Sequence, residues 1–199
     1  TGLIAALSRT LTARGITNWP GDYRVDGNPI RQWIDEEGVL GPTWAPMMFD
    51  LDRTAQQAAN FGAPLNGLSF VWFQGESDVG VDDYPLYEAR LQQLVSAVKN
   101  HAKVNWTNMP VPAFALALPD YKDERVREGL ESVRDAIKSV ANDSANVCAF
   151  ETRDINRYDR VHIPNYPGAG SPEQFMVAER ALACVRVAAN RCEWSEIDK

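Results

Sequence analysis

The chain has 199 residues, 45% of them hydrophobic and 24% charged, which suits one globular domain with a real core. Its net charge of −7 argues against nucleic acid or an anionic membrane surface as a partner, and there is no basic run to offset it. No stretch approaches the ~18 consecutive apolar residues of a membrane span, so no membrane insertion is expected.

In chain order, residues 1–14 read as an amphipathic helix. That segment has no positive start followed by an apolar block, so it is not a signal peptide. The chain opens at Thr1 and not at a methionine; the expectation is that upstream sequence, with any targeting signal, was removed, processed or never built. Residues 23–25 are a weak strand candidate, and 50–60 a helix. Three short apolar runs, 67–73 (GLSFVWF), 111–118 (VPAFALAL) and 147–150 with its flanks, read as strands covered on both faces. Helices alternate with them. Tyr84, Tyr87, Leu91, Leu94, Val95 and Val98 step by three and four, as do Val126, Leu130, Val133, Ile137 and Val140, and Phe175, Ala178, Leu182 and Val185. Ser171, Pro172 and Gln174 make a capping box at the start of the last helix.

This alternation predicts an α/β fold with a mostly parallel sheet, a single domain over 1–199. Sites in such sheets gather at the carboxyl ends of the strands, which directs attention to 74–80, 119–121 and 152–170. The three cysteines cannot all pair internally. Cys148, in an apolar run, reads as a buried free thiol. Cys184 and Cys192 either pair, if the chain turns back after Asn190, or are two structural thiols, so the compartment stays open.

Two features carry chemistry. Val71-Trp72-Phe73-Gln74-Gly75-Glu76-Ser77-Asp78 runs an apolar strand into a cluster of polar groups around one glycine. By residue type alone it equally suits a polar turn, with Ser77 or Asp78 capping a helix. The second is Asp159-Arg160-Val161-His162, in a Pro/Gly-rich loop after the last strand. One tight turn brings Asp159 to the far ring nitrogen of His162, where a carboxylate fixes the tautomer and stabilises the imidazolium. The same spacing also suits a loop histidine packed on the cap of the next helix. The other histidine, His101, ends a charged helix and reads as solvated.

Taken together, WFQGESD after a buried strand and D-x-x-H before the final helix resemble the sialate O-acetylesterase and acetylxylan-esterase branch of the SGNH hydrolases. Members typically show W-[YH]-Q-G-E-S-[DN] at the first place. The resemblance runs from about residue 27 to the last helix. Val25-Asp26-Gly27-Asn28-Pro29-Ile30-Arg31-Gln32-Trp33 is similar to the family's glycine-bearing loop, with Asp26 where a first glycine is usual and Asn28 in place of a hydroxyl residue. The resemblance implies a flavodoxin-like three-layer sandwich and assigns roles by position. His162 is the general base and then the acid, and Asp159 orients it. Gln74 offers its amide to the oxyanion beside the backbone N–H of Gly27, with Asn28 in the same loop. Gly75 lets the chain pass close to the site, and Glu76 braces the loop or serves as a second acid.

The family's serine, in a G-Q-S-N or G-D-S-like string after the first strand, has no counterpart here. Ser77 lacks the glycine of a nucleophile elbow, since Val79 stands there. Ser8 lies in a helix pattern, Ser69 inside a strand, and Thr1 opens a helix. The expectation is an N-terminally incomplete domain that lacks the first strand, completed by an upstream segment or a partner chain. The leading reading is a carbohydrate O-acetyl esterase acting through a serine on an acetylated sugar or polysaccharide, extracellular or associated with a cell or virion surface. The alternative is a degenerate domain of the same fold, used for glycan binding or as a structural module in a larger assembly. No cofactor is implied. With two histidines and neither CxxC nor HExxH, no metal site is expected. Trp33, Trp44, Trp72 and Trp106 could face a sugar, but core or rim is the commoner place for such rings, and Trp72 is assigned to the core.

Overall fold

The computed structural model describes residues 2–21, 23, 27–63, 65–80, 84–106, 109–120, 123–155 and 171–197. Asp159 and His162 lie outside the described residues, as does Asp26. Of the weak strand candidate at 23–25, only Tyr23 is described, and it is not in a strand.

Among the described residues six helices and three strands follow in order: α1 (Gly2–Ala13), α2 (Trp44–Asn60), β1 (Ser69–Trp72), α3 (Glu76–Gly80), α4 (Tyr87–Asn105), β2 (Ala113–Ala117), α5 (Arg127–Asp143), β3 (Val147–Phe150) and α6 (Pro172–Ile197). Single 3-10 turns add Ile30–Gln32, Tyr84–Leu86 and Glu124–Val126. The strands are parallel in the order β1-β2-β3, with Trp72 beside Leu116 and Ala117 beside Phe150. This is the α/β architecture expected, built on a partial sheet.

Side chains that alternate along a strand face opposite sides, and the core divides accordingly. Phe70, Trp72, Phe114, Leu116, Val147 and Ala149 join α4 and α5 in one cluster. Val71, Ala115, Ala117, Cys148 and Phe150 join α1 and α6 in the other. The apolar stripe of α4 (Tyr87, Leu91, Leu94, Val95, Val98) is buried along its length, as is that of α5 (Leu130, Val133, Ile137, Val140). The capping box of α6 forms in both directions: Gln174 N–H donates to Ser171 Oγ at 3.1 Å, and Ser171 N–H donates to Gln174 Oε1 at 3.0 Å.

The structure corrects several expectations. The second helix starts at Trp44 and not near residue 50. Pro46 falls in its first turn, where the missing N–H costs no helical bond, and Trp44, Met47 and Met48 bury against the core. Only β2 is buried throughout; β1 and β3 are half-covered, because each has one sheet neighbour among the described strands. Ser69 is therefore exposed at the start of β1. Cys148 is not a free thiol: it faces the α6 side of the sheet and is bonded to Cys184, with Cα atoms 5.4 Å apart. Cys184 is thus taken and does not pair with Cys192. His101 is only partly solvated. Its Nε2 lies 3.0 Å from Asp52 Oδ1, and its ring meets the edges of Trp44 and Trp106, tying α4 to α2. No helix among the described residues is long and apolar enough to cross a membrane.

Candidate functional site

The carboxyl end of β1 runs through Phe73 and Gln74 to Gly75, and α3 starts at the next residue. Gly75 has φ +142°, and a Cβ there would stand 2.8 Å from Val133 Cγ1 and 3.0 Å from Pro119 Cγ. The backbone is extended in a way that only glycine adopts readily. It presses the end of β1 against the end of β2 and the flank of α5.

Gln74 is the centre of a partly buried hydrogen-bond chain. Its Nε2 donates to Asp78 Oδ2 and, at 3.1 Å, to the carbonyl of Asn28. Its Oε1 accepts from Tyr87 Oη at 3.2 Å. Tyr87 Oη in turn accepts from Trp72 Nε1 at 3.1 Å. The amide orientation is determined by these partners: Nε2 faces two oxygens that can only accept, so a flipped amide would put oxygen against oxygen. Both amide hydrogens are engaged inside the protein, and the half-buried Gln74 braces the loop at residues 27–30. Burial, then the nearby Asp78 carboxylate, pushes the Tyr87 hydroxyl well above its ordinary pKa. It stays protonated and able to donate.

Opposite this chain stands the turn before the 3-10 helix Ile30–Gln32. Gly27 has φ +70° and open space where a Cβ would be. Pro29 caps the 3-10 helix without a side-chain bond of its own. Ile30 N–H instead points at Asp78, 3.1 Å from each carboxylate oxygen. Glu76 lies half-buried in the first turn of α3, and Ser77 beside it is half-buried too.

Farther along the sheet, the ends of β2 and β3 are joined by Arg134, 1% exposed on α5. Its Nη1 donates to Pro119 O at 2.6 Å and its Nη2 to Glu151. Thr152 Oγ1 donates to Leu118 O at 2.6 Å, closing the same seam. Arg180 reaches from α6 to the Glu151 carbonyl at 2.8 Å and grips both oxygens of Asp154 at 2.6 Å. That grip lowers the Asp154 pKa to about 2. Burial works against the Glu151 carboxylate, yet hydrogen bonds from Arg134 and from the Arg153 and Thr152 amides outweigh it and hold its pKa below the usual value. These residues form the root from which the 156–170 segment, bearing Asp159 and His162, departs. A groove of about 580 Å³ beside β3 and α6 is floored by Ala149, Phe150 and Val187. It borders the strand farthest from the Gln74 chain.

Of the predicted site residues, Gly27, Asn28, Gln74 and Gly75 stand together, with Glu76 next to them. Trp33, Trp44 and Trp72 are buried core, and Trp106 packs on His101. Asp78, Tyr87, Arg134 and Arg180 were not singled out as site residues. Arg134 had a legible signal, a charge on the buried stripe of α5 between Val133 and Ile137. Tyr87 had none, since a tyrosine on an apolar stripe looks like packing.

The family model for carbohydrate esterases described as sialic acid-specific acetylesterases matches residues 24–168, well over half of the chain. The chain belongs to this carbohydrate esterase family. The match takes in the Gly27 turn, the strand-end string at 72–78 and the D-x-x-H of Asp159 and His162. Comparison with curated proteins and with solved structures finds no match. Within the esterase-family domain, the strand-end string is thus the hub on which the glycine turn hangs.

Proposed function

We propose that this esterase-family domain removes acetyl groups from an O-acetylated sugar or polysaccharide by acyl transfer through a serine. The observation that carries the reading is the family match spanning both chemical motifs, one of which stands at the carboxyl end of β1 beside the Gly27 turn. In this reading His162, oriented by Asp159, takes the proton of the serine hydroxyl as its oxygen attacks the acetyl carbonyl. The backbone N–H of Gly27 faces the oxyanion that forms. As the tetrahedral intermediate collapses, His162 returns the proton to the departing sugar oxygen. Water then attacks the acetyl-serine with the same histidine as base, releasing acetate and restoring the serine. Glu76 serves as a brace or second acid at the rim.

The serine is assigned to a strand that would pair with the open edge of β1. Among the described strands β1 has β2 as its sole neighbour, and its apolar Phe70 and Val71 are half-exposed. Edges of this kind are usually covered, and an upstream segment or a partner chain would supply the cover and the nucleophile. The Cys148–Cys184 bridge supports an extracellular or surface setting. A second reading, a degenerate domain used for glycan binding or as a structural module, is favoured by one observation: both amide hydrogens of Gln74 are engaged internally.

The test uses the intact protein with p-nitrophenyl acetate and an acetylated sugar as substrates. His162→Ala should lower acetate release by roughly ten-thousandfold. Equal rates in wild type and variant would remove His162 from the mechanism. A wild type that binds acetylated glycan without turnover would establish the second reading.

A further inference from the structure

Asp78 is 0% exposed, and a buried carboxylate is tolerated where it is hydrogen-bonded. Two of its donors come from outside its own short helix. Ile30 N–H, 48 residues earlier in the chain, approaches both of its oxygens at 3.1 Å, and Gln74 Nε2 donates to Oδ2. Pro29 gives the 3-10 turn no side-chain cap, so Asp78 caps that turn from across the site. Through Gln74 the same carboxylate reaches the Asn28 carbonyl, because one Nε2 serves both. Two successive contacts on the 27–30 segment, the Asn28 carbonyl and the Ile30 amide, therefore lead back to one carboxylate. Between them they hold the 28–29 and 29–30 peptides, just after Gly27, whose φ of +70° is left-handed.

The geometry points to Asp78 as a positioning residue that fixes the Gly27 turn by way of Gln74 and the Ile30 amide. This rests on the esterase reading for its catalytic consequence, the aim of the Gly27 N–H at the oxyanion. Gln74 then acts as a strut in the same device. Asn at position 78 would present one acceptor and one donor where two acceptors stand. It could not serve Ile30 and Gln74 together without setting amide hydrogens against one of them.

The experiment compares wild type, Asp78→Asn and Asp78→Ala in the intact protein. It measures kcat per burst-titrated site, KM, thermal midpoint and amide hydrogen exchange across residues 27–30. Asp78→Ala is expected to lower kcat per titrated site by about tenfold to a hundredfold, less than the roughly hundredfold to thousandfold loss when an oxyanion donor is removed outright, with KM within about twofold. Asp78→Asn should fall between it and wild type. Exchange at Gly27 and Asn28 should quicken in both variants while the amides of β2 stay protected. A loss confined to the thermal midpoint, with kcat per titrated site unchanged, would overturn the positioning role, as would unchanged exchange at 27–30. If the wild type proves inactive, the esterase reading falls, and the exchange data alone decide whether Asp78 holds the turn.

Discussion

Gly75 and Gly27 both have positive φ, yet they differ in what surrounds them. At Gly75 a Cβ would collide with Val133 and Pro119, and φ is +142°. At Gly27 φ is +70° and nothing lies within 4 Å. Gly75→Ala should therefore cost about 3 kcal/mol or more, adding overpacking to backbone strain. Gly27→Ala should cost only about 1–2 kcal/mol, the strain of the left-handed conformation. Urea unfolding of the two variants checks the contrast, and equal losses would mean that the close approach at Gly75 relaxes without penalty. At this scale the sequence was informative where a residue type has few uses. A glycine among polar residues at a strand end marked the hub. Asp78 was legible only as a possible cap of its own helix, because a carboxylate's partners 48 residues away are invisible along the chain.

The elements most relevant to the site are β3 and α6, the two stems of the 156–170 segment. Cys148 on β3 and Cys184 on α6 bridge them, closing a loop over a sequence separation of 36. Ile155 packs in the same cluster as Val177, Ala178 and Ala181 of α6. Arg180 adds a polar tie to Glu151 and Asp154. Loop closure of this size contributes about 3–4 kcal/mol by the chain-entropy relation. Reduction of the bridge, or paired Cys148→Ala and Cys184→Ala substitutions, should lower unfolding free energy by that amount. Reducing agent should then have no further effect on the double variant; an unchanged unfolding midpoint in wild type on reduction would count against the bridge. Helix existence and strand existence were readable from periodicity, since α4, α5 and β2 bury what their apolar positions predicted. The cysteine pairing was not. It depends on which face of β3 Cys148 occupies and where α6 crosses it.

For the whole molecule, strong acid should loosen the root of the 156–170 segment. Asp154 has a folded pKa of about 2, below its ordinary 3.8, and Glu151 is held below 4.5. A depressed carboxylate contributes stability that is fully present above its unfolded pKa and is lost as pH falls through the folded one. For Asp154 that window runs from about pH 4 down to about pH 2. The thermal midpoint should thus change little through these groups between pH 7 and 5, and fall below pH 4. Arg180→Met should flatten the fall, since it removes the partner that lowers Asp154; an identical acid profile in that variant would show the tie to be without effect.

By itself the sequence determined the fold class, the family, the strand-end hub and the D-x-x-H string, because these rest on local periodicity and on runs of residues adjacent in the chain. The tertiary structure decided the rest. It placed Gln74 on Asp78 and Asn28, bonded Cys148 to Cys184, and set His101 against Asp52 and two tryptophans. Each of these is a contact between distant parts of the chain. A polar side chain's role is set by the partners that burial leaves within its reach, and those are fixed only when helices pack on the sheet.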